Sequence, residues 1–432
     1  MSFFIIEIVL FILAITLAEV KFSFFSVLLK ILSFIFALWV ISRDYYPEMK
    51  IMWIFIILLL PYLGCPLFLV SYFREKKRKN RSFKLKEYKG SLEVFNSTKD
   101  AFLSLSKDIE SAKELVLLEY FVIAPGYVWN SLLPILIDKA KKGIRVEIIY
   151  DDVGSLLSLP YPLRLEMKKC GIRCTPFGRL FPLSLPSLHG RDHRKLAVID
   201  RKIAYVGSMN LSDKYLNLGR TKYTIKDFVA RVKGDAAEGF ICDGSEGRGV
   251  RAEGDRIIPF MSSPGSNESL PIDLLRKYTN DSSDYLWITT PYLIPGSELS
   301  SYLGALVKRG VDVRIITPGR GDRFFVHALT RSSYKSLLDK GIKIFEYSEG
   351  FLHSKSFVCD GRYSALGSVN LDLRSLYSAY ECGAVSVSDD MQIKREFDKL
   401  FEKSKEIKRG EKYISFLEKA TAFFLKPFEP LM

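Results

Sequence analysis

The feature that most constrains this 432-residue chain is a duplication. Residues 111–210 and 281–370 carry the same blocks in the same order, the signature of an internal repeat. "LEYFVIAPG" (118–126) answers to "ITTPYLIPG" (288–296), each an apolar strand, an aromatic and a Pro-Gly stop. "KKGIRVEIIYDD" answers to "KRGVDVRIITPG", each a helix end closed by Gly143 or Gly310 and followed by an alternating strand. "KKCGIRCTPFG" and "LDKGIKIFEYSEG" repeat that arrangement. Finally "HRKLAVIDRKIAYVGSMN" (193–210) and "HSKSFVCDGRYSALGSVN" (353–370) align without a gap, with a glycine 14 and an asparagine 17 residues after each histidine. Strands alternating with helices predict an α/β fold, and two copies predict a pseudo-twofold pair of lobes, each bringing one histidine segment to the seam between them.

The rest of the chain is arranged around this pair. Apolar stretches at 3–18, 22–41 and 51–73 predict a helical transmembrane region over 1–73, with two or three helices, since roughly 20 apolar residues span a bilayer. Glu7, Lys30, Pro61 and Pro66 interrupt them, and no Lys or Arg precedes the first, which argues against a cleavable signal. Residues 74–89 hold nine Lys or Arg against two Glu, a net +7 and half of the chain's +14. Such a run stays on the cytoplasmic side of a span and attracts anionic headgroups, so 74–90 reads as a juxtamembrane linker with everything after it in the cytoplasm. The first lobe is expected over 91–245 and the second over 246–432, with a Gly- and Ser-rich connection at 234–282 that includes "SSPGSN". The last 40 residues are amphipathic and end in "ISFLEKATAFFLKPF", either a helix packed on the domain or one lying on the membrane. Six cysteines stand scattered with no Cys-x-x-Cys pair, which suits a reducing compartment and predicts no zinc site.

A lone His-x-Lys is usually a surface feature, but this one recurs inside matching repeats. Strand alternation would point His193 and Lys195 to one side, and His353 and Lys355 likewise. Two imidazoles and two ammonium groups, with Asn210 and Asn370 as neutral donors, make a cationic pocket suited to a phosphodiester. One ring attacks phosphorus and the other protonates the leaving oxygen, which requires one neutral and one protonated imidazole. The cations supply the electrostatics, so neither a metal nor another cofactor is called for. His189 and His327 have no such partner and read as ordinary, or as substrate contacts near the pocket.

The two segments resemble the paired HKD motifs of the phospholipase D superfamily. "LEYF", "YDDVGS", "RDHRKLAVID", "TPYLIPG" and "GSVNLDLRSL", after a region ending "LLLPYLG", are similar in detail to the bacterial cardiolipin synthases. The resemblance covers nearly the whole chain and implies two phospholipase D-like α/β lobes, each a mixed sheet flanked by helices. It implies transfer of a phosphatidyl group between two phosphatidylglycerol molecules, giving cardiolipin and glycerol. His193, Lys195 and Asp200 would form one catalytic motif and His353, Lys355 and Asp360 the other. In this reading His193 is the nucleophile and His353 the acid and then the base, an order that could be reversed. Lys195, Lys355, Asn210 and Asn370, with Ser208 and Ser368, would hold the phosphate. A carboxylate following each motif would orient its imidazole through the second ring nitrogen, and Asp227 in "IKDF" and Glu381 in "YECG" take those places. Asp200 and Asp360 end the motif strands and read as structural members of the motifs.

This chain departs from the family at Ser208, at Ala379 and in "LHGRDH". The expected partners are phosphatidylglycerol and anionic membrane lipids, with integral attachment to the bacterial cell membrane. No nucleic acid is expected, because half the basic charge is juxtamembrane and no basic and aromatic stripe marks the lobes. The alternatives are a phospholipase D-type hydrolase, a transferase with another acceptor, and a membrane scaffold.

Overall fold

The structure is a computed structural model describing residues 23–77, 85–156, 158–159, 161–178, 190–219, 222–241, 255–264, 268–388 and 392–432. The apolar stretch 3–18, residues 78–84 of the basic run, His189, Cys242 and part of the 234–282 connection lie outside the described residues. The chain divides into two compact units, Met1–Lys79 and Asn80–Met432.

In the first unit, helices α1 (Ser23–Ile41), α2 (Pro47–Leu59) and α3 (Pro61–Lys77) follow one another. The apolar stretch 51–73 is therefore not one continuous helix. It breaks at Leu60 (φ −126°, ψ 67°), because the Pro61 ring excludes its predecessor from helical backbone and Pro61 itself starts α3. The three helices meet around Phe68, against which Trp39 and Trp53 stand edge-on with ring centroids at 5.3 and 5.4 Å. Among the described residues no helix is long and apolar enough to cross a membrane.

The second unit is built on one mixed sheet. The first copy supplies β1 (Tyr88–Phe95), β2 (Leu115–Tyr120), β3 (Arg145–Asp151), β4 (Arg173–Phe177), β5 (Lys195–Ile199), β6 (Ile203–Gly207), the two-residue β7 (Ile225–Lys226) and β8 (Val229–Gly234). The second copy supplies β9 (Asp255–Ser262), β10 (Tyr285–Thr289), β11 (Leu293–Ile294), β12 (Asp312–Pro318), β13 (Lys343–Tyr347), β14 (Phe351–Leu352), β15 (Ser356–Cys359), β16 (Tyr363–Gly367), β17 (Leu371–Asp372), β18 (Glu381–Val387) and β19 (Ser404–Ile407). Fifteen of these join edge to edge, and the two copies meet where β1 pairs antiparallel with β9, Tyr88 opposite Ile257 and Gly90 opposite Asp255. Outward from that seam the first copy runs β1-β8-β6-β5-β2-β3-β4 and the second β9-β18-β16-β15-β10-β12-β13, counterpart for counterpart, with β19 added at the far edge. The copies thus share one continuous sheet and one compact unit instead of standing as separable lobes.

Both faces of the sheet are covered, which explains why β5 is buried at all five positions. Its Ala197 and Ile199 join Phe102, Leu105, Leu132 and Leu136 from helices α4 (Thr98–Ser111) and α5 (Tyr127–Lys141). Its Leu196 and Val198 point the other way, into a cluster with Ile257, Trp287 and Phe397. At about 1.5–3 kcal/mol for each fully buried large side chain, these two layers dominate the stability of the sheet. Helix α5 and its counterpart α8 (Gly296–Lys308) both end at glycines with φ of +82° (Gly143) and +95° (Gly310), where a side chain would be strained. Among the described residues the remaining α-helices are α6 (Tyr161–Lys169), α7 (Leu270–Thr279), α9 (Phe324–Leu338), α10 (Gln392–Glu402) and α11 (Phe416–Leu425).

Candidate active site

Strands β5 and β15 begin at Lys195 and Ser356, so His193 and His353 stand just before their strands instead of within them. Short stretches from the other copy hold them there. The His193 amide donates to the Tyr380 carbonyl at 2.9 Å, and the His353 amide donates to the Lys226 carbonyl at 2.8 Å. Asp192 bridges Tyr380, and β14 pairs in parallel with β7, so each histidine is threaded against the segment that carries the other copy's carboxylate.

This crossing exchanges the expected carboxylates. Nδ1 of His193 meets Glu381 at 2.9 and 3.1 Å, and Nδ1 of His353 meets Asp227 at 2.8 Å. Each imidazole is therefore paired with the carboxylate that follows the opposite motif, not its own, because the segment leading into β18 runs beside His193 and that leading into β8 runs beside His353. With Nδ1 engaged, Nε2 is the ring nitrogen left for chemistry. Glu381 also accepts from the Ser368 hydroxyl at 2.5 Å, and Asp227 from the Phe228 amide at 2.9 Å.

Both rings line one cavity of about 400 Å³, together with Asn210 and Asn370. The lysines lie beneath the rings. Lys355 Nζ donates to the His353 carbonyl at 2.6 Å and stands 3.0 Å from its Nε2, while Lys195 Nζ donates to the His193 carbonyl. Asn210 spends its amide group on the Tyr215 hydroxyl at 2.8 Å and its oxygen on the Val122 amide at 3.0 Å. Asn370 contacts the Ser375 hydroxyl at 3.2 Å through Nδ2 and leaves a buried Oδ1 without a partner. The two asparagines are thus turned the same way, each spending Nδ2 on the side chain five residues on. Ser208 donates to the Gly367 carbonyl at 3.1 Å, so its hydroxyl ties the copies together beneath the site.

Burial sets the charges. It pushes the Lys195 ammonium down to about 7 and that of Lys355 to about 8, and it raises the Glu381 carboxyl to about 7. Burial and then the nearby Lys195 and Lys355 cations hold His193 well below its ordinary value, and burial with Lys355 brings His353 to about 4. Burial thus favours the neutral form of both rings, and an anionic phosphate between them would favour protonating one.

Asp200 and Asp360 belong to the two catalytic motifs but do not line this cavity, in keeping with their reading as structural members of the motifs and against a catalytic role. They sit past the other ends of β5 and β15, in left-handed backbone (φ +50° and +51°) that aspartate tolerates. Asp200 accepts from the amides of Lys113, Glu114 and Leu115 at 2.8, 2.7 and 2.9 Å, and Asp360 from those of Ser283, Asp284 and Tyr285 at 2.9, 3.2 and 2.7 Å. Each pins the entry to the neighbouring strand, β2 or β10.

Other residues at the site were not singled out from the sequence. The Phe121 ring meets His193 edge-on at 5.3 Å and the Tyr215 ring meets His353 at 5.2 Å. Arg323, Lys214 and Lys222 add cationic side chains to the cavity wall. Buried Arg191 binds Asp151 at 2.6 and 3.0 Å, fixing the approach to His193. Tyr215 was within reach, since it follows Asn210 by the same five residues that separate Ser375 from Asn370. His327 lies in α9, outside the cavity, and burial lowers its imidazole to about 4.

The family model described as "Cardiolipin synthase, PLD-like domain" matches residues 105–222 and 275–405, one segment in each copy. A cardiolipin synthase of Oceanobacillus iheyensis is 31% identical over 339 residues, covering 74% of this chain and 70% of the relative. A cardiolipin synthase 2 of Bacillus cereus is 30% identical over 369 residues, covering 77% and 70%. Among solved structures, a phosphatidylserine synthase of Haemophilus influenzae matches with a TM-score of 0.64 at 13% identity, over 84% of this chain and 99% of that one, a likeness of fold alone. With both copies matched by one family model and relatives of this similarity over most of its length, the chain belongs to the cardiolipin synthase, phospholipase D-like domain family.

Proposed function

We propose that the protein is a phosphatidyltransferase that converts two phosphatidylglycerol molecules into cardiolipin and glycerol. The observation that carries this reading is the pair of imidazoles on one cavity, each anchored through Nδ1 to a carboxylate, which leaves Nε2 for the substrate, that of His353 lying beside the Lys355 ammonium. His193 attacks phosphorus and forms a phosphatidyl-histidine, while His353 gives its Nε2 proton to the departing glycerol oxygen. His353 then takes the proton from the hydroxyl of the second phosphatidylglycerol, which displaces His193 from phosphorus. The two rings differ in a way that supports this order, since the His193 side chain is 22% exposed and that of His353 only 10%. Lys195, Lys355, Asn210 and Asn370 stabilise the charge on the non-bridging oxygens as it grows. One phosphodiester replaces another, so no nucleotide drives the reaction.

The apolar N-terminal stretches and the basic run support attachment to a bacterial cell membrane through two or three spans, with the catalytic unit on the cytoplasmic face and its two copies meeting near residue 245. The test is mass spectrometry of lipids and released headgroup after incubation with phosphatidylglycerol alone. Cardiolipin and glycerol in equal amounts, both absent for His193→Ala, are expected. Phosphatidic acid in place of cardiolipin would refute transfer.

A further inference from the structure

Helix α11 is amphipathic in the wrong sense for a soluble protein. Ser415 caps its start in a reciprocal capping box with Glu418, so the helix is locally well specified. Its buried residues, Glu418 and Ala422, face the protein, and Ala422 joins Val326 and Leu329 of α9 in a small core that Leu425 and Met432 pack against. The opposite stripe, at i, i+1, i+7 and i+8, consists of Phe416, Leu417, Phe423 and Phe424, which are 86, 64, 76 and 73% exposed. Three phenylalanines and a leucine on one outward stripe form a contiguous patch, not the scattered apolar exposure of an ordinary surface. Phe324 and Phe325, at the start of the helix on which α11 packs, are each 46% exposed as well.

Between α11, α9 and the 409–414 loop lies a groove of about 830 Å³ lined by Arg331, Lys335, Arg409, Lys412, Lys419 and Lys426, with Asp339 and Glu411 as the lining acids. Arg331 is spent on Glu346 and Glu418, and Lys426 on Glu429, so the positive excess beside the stripe lies with Lys412 and Lys419. Asp339 is engaged by Lys335 at 2.8 Å and Arg409 at 3.0 Å. An apolar stripe bordered by such a groove matches the two layers of an anionic leaflet, acyl boundary and phosphate. The chain leaving α11 also runs directly to the catalytic cavity, whose wall includes Leu431 and Met432.

We propose that α11 docks the catalytic unit onto an anionic phospholipid bilayer, its phenylalanine stripe at the acyl boundary and the basic groove on the headgroups. Docked there, α11 holds the mouth of the catalytic cavity against the leaflet. The direction of substrate entry rests on the lipid-transfer reading, whereas the docking itself does not.

The full chain would be placed in vesicles of equal phosphatidylglycerol and phosphatidylcholine containing a trace of a phosphatidylcholine with a diazirine near its acyl carbonyl, the same neutral probe serving in the phosphatidylcholine control. After illumination, labelled peptides are mapped by mass spectrometry. Label within 416–424 is expected, weakening on purely phosphatidylcholine vesicles. Label confined to the N-terminal helices, as when a second copy of this chain covers the stripe, would overturn the proposal, and equal labelling on neutral vesicles would overturn its anionic character. A second arm uses Phe423→Ser/Phe424→Ser, both exposed and outside the cavity. Turnover of vesicle phosphatidylglycerol should fall by about tenfold or more with monomeric short-chain phosphatidylglycerol unaffected. Equal effects on both substrates, or none on either, would overturn the proposal. Wild-type protein inactive on both would sink the transfer reading while the labelling still decides the docking.

Discussion

The exchanged carboxylates give the sharpest prediction. When His193 attacks phosphorus its ring acquires a positive charge, and Glu381, 2.9 Å from Nδ1, is the anion that meets it. With charge centres roughly 4 Å apart and an effective dielectric of about 20, that attraction is worth about 4 kcal/mol. Glu381→Gln keeps the shape and a hydrogen-bond acceptor but removes the charge, so formation of the covalent intermediate should slow by roughly 10³, at 1.36 kcal/mol for each factor of ten. Asp227→Asn should act instead through His353. A phosphatidyl ester of p-nitrophenol separates the two, because that leaving group needs no acid catalyst. On this substrate Asp227→Asn should release a burst of nitrophenol and accumulate phosphatidyl-enzyme, as His353→Ala does. Glu381→Gln should show neither, as with His193→Ala. The readouts are rapid-mixing absorbance and intact-protein mass after an alkaline quench. Were Glu381→Gln to follow His353→Ala and Asp227→Asn to follow His193→Ala, the crossed pairing would be wrong, whichever ring is the nucleophile.

Three further outcomes follow from the same geometry. Activity should peak near neutral pH: as pH rises through about 7 to 8, Lys195 and Lys355 lose the protons that hold an anionic substrate. As pH falls below about 7, protonated Glu381 would donate to Nδ1 and move the ring proton of His193 to Nε2; a flat kcat/KM between pH 6 and 9 would contradict this. Asp200→Ala should lower stability by about 2–3 kcal/mol from three lost hydrogen bonds and left-handed backbone, with little change in kcat for the folded enzyme, measured by denaturant unfolding beside turnover. Burial would raise the Asp200 carboxyl, but the three amides outweigh it and hold the group below its ordinary value, so this stabilisation is present above about pH 4 and lost as pH falls through the folded value. Asn370→Asp should reduce kcat/KM by roughly 10² or more by setting an anion against the phosphate, and Asn370→Ala by less; equal losses in steady-state assays would argue that the amide only shapes the cavity.

The chain's own order of residues determined more here than in most proteins, because the duplication is an internal control. His193 and His353, Lys195 and Lys355, and Asn210 and Asn370 could be picked out since each recurs at the same offset in a matching block, and glycine-closed helices followed by alternating strands fixed the α/β character. What the sequence could not carry was which copy's atoms meet. A repeat reads as self-contained, so each carboxylate is naturally assigned to its own motif. Only the passage of β14 beside β7, and of Asp192 beside Tyr380, brings Asp227 to His353 and Glu381 to His193. Likewise nothing local to β1 and β9 announces that they pair and merge the copies into one sheet, since strand pairing is a long-range choice made by the packing of whole layers. Asp200 and Asp360 share a motif with the catalytic pairs but face backbone amides at the far ends of their strands, a separation that spacing alone does not reveal. The residues able to do the chemistry were written in the sequence, and their partners were decided by the fold, because contacts between distant segments are set by packing.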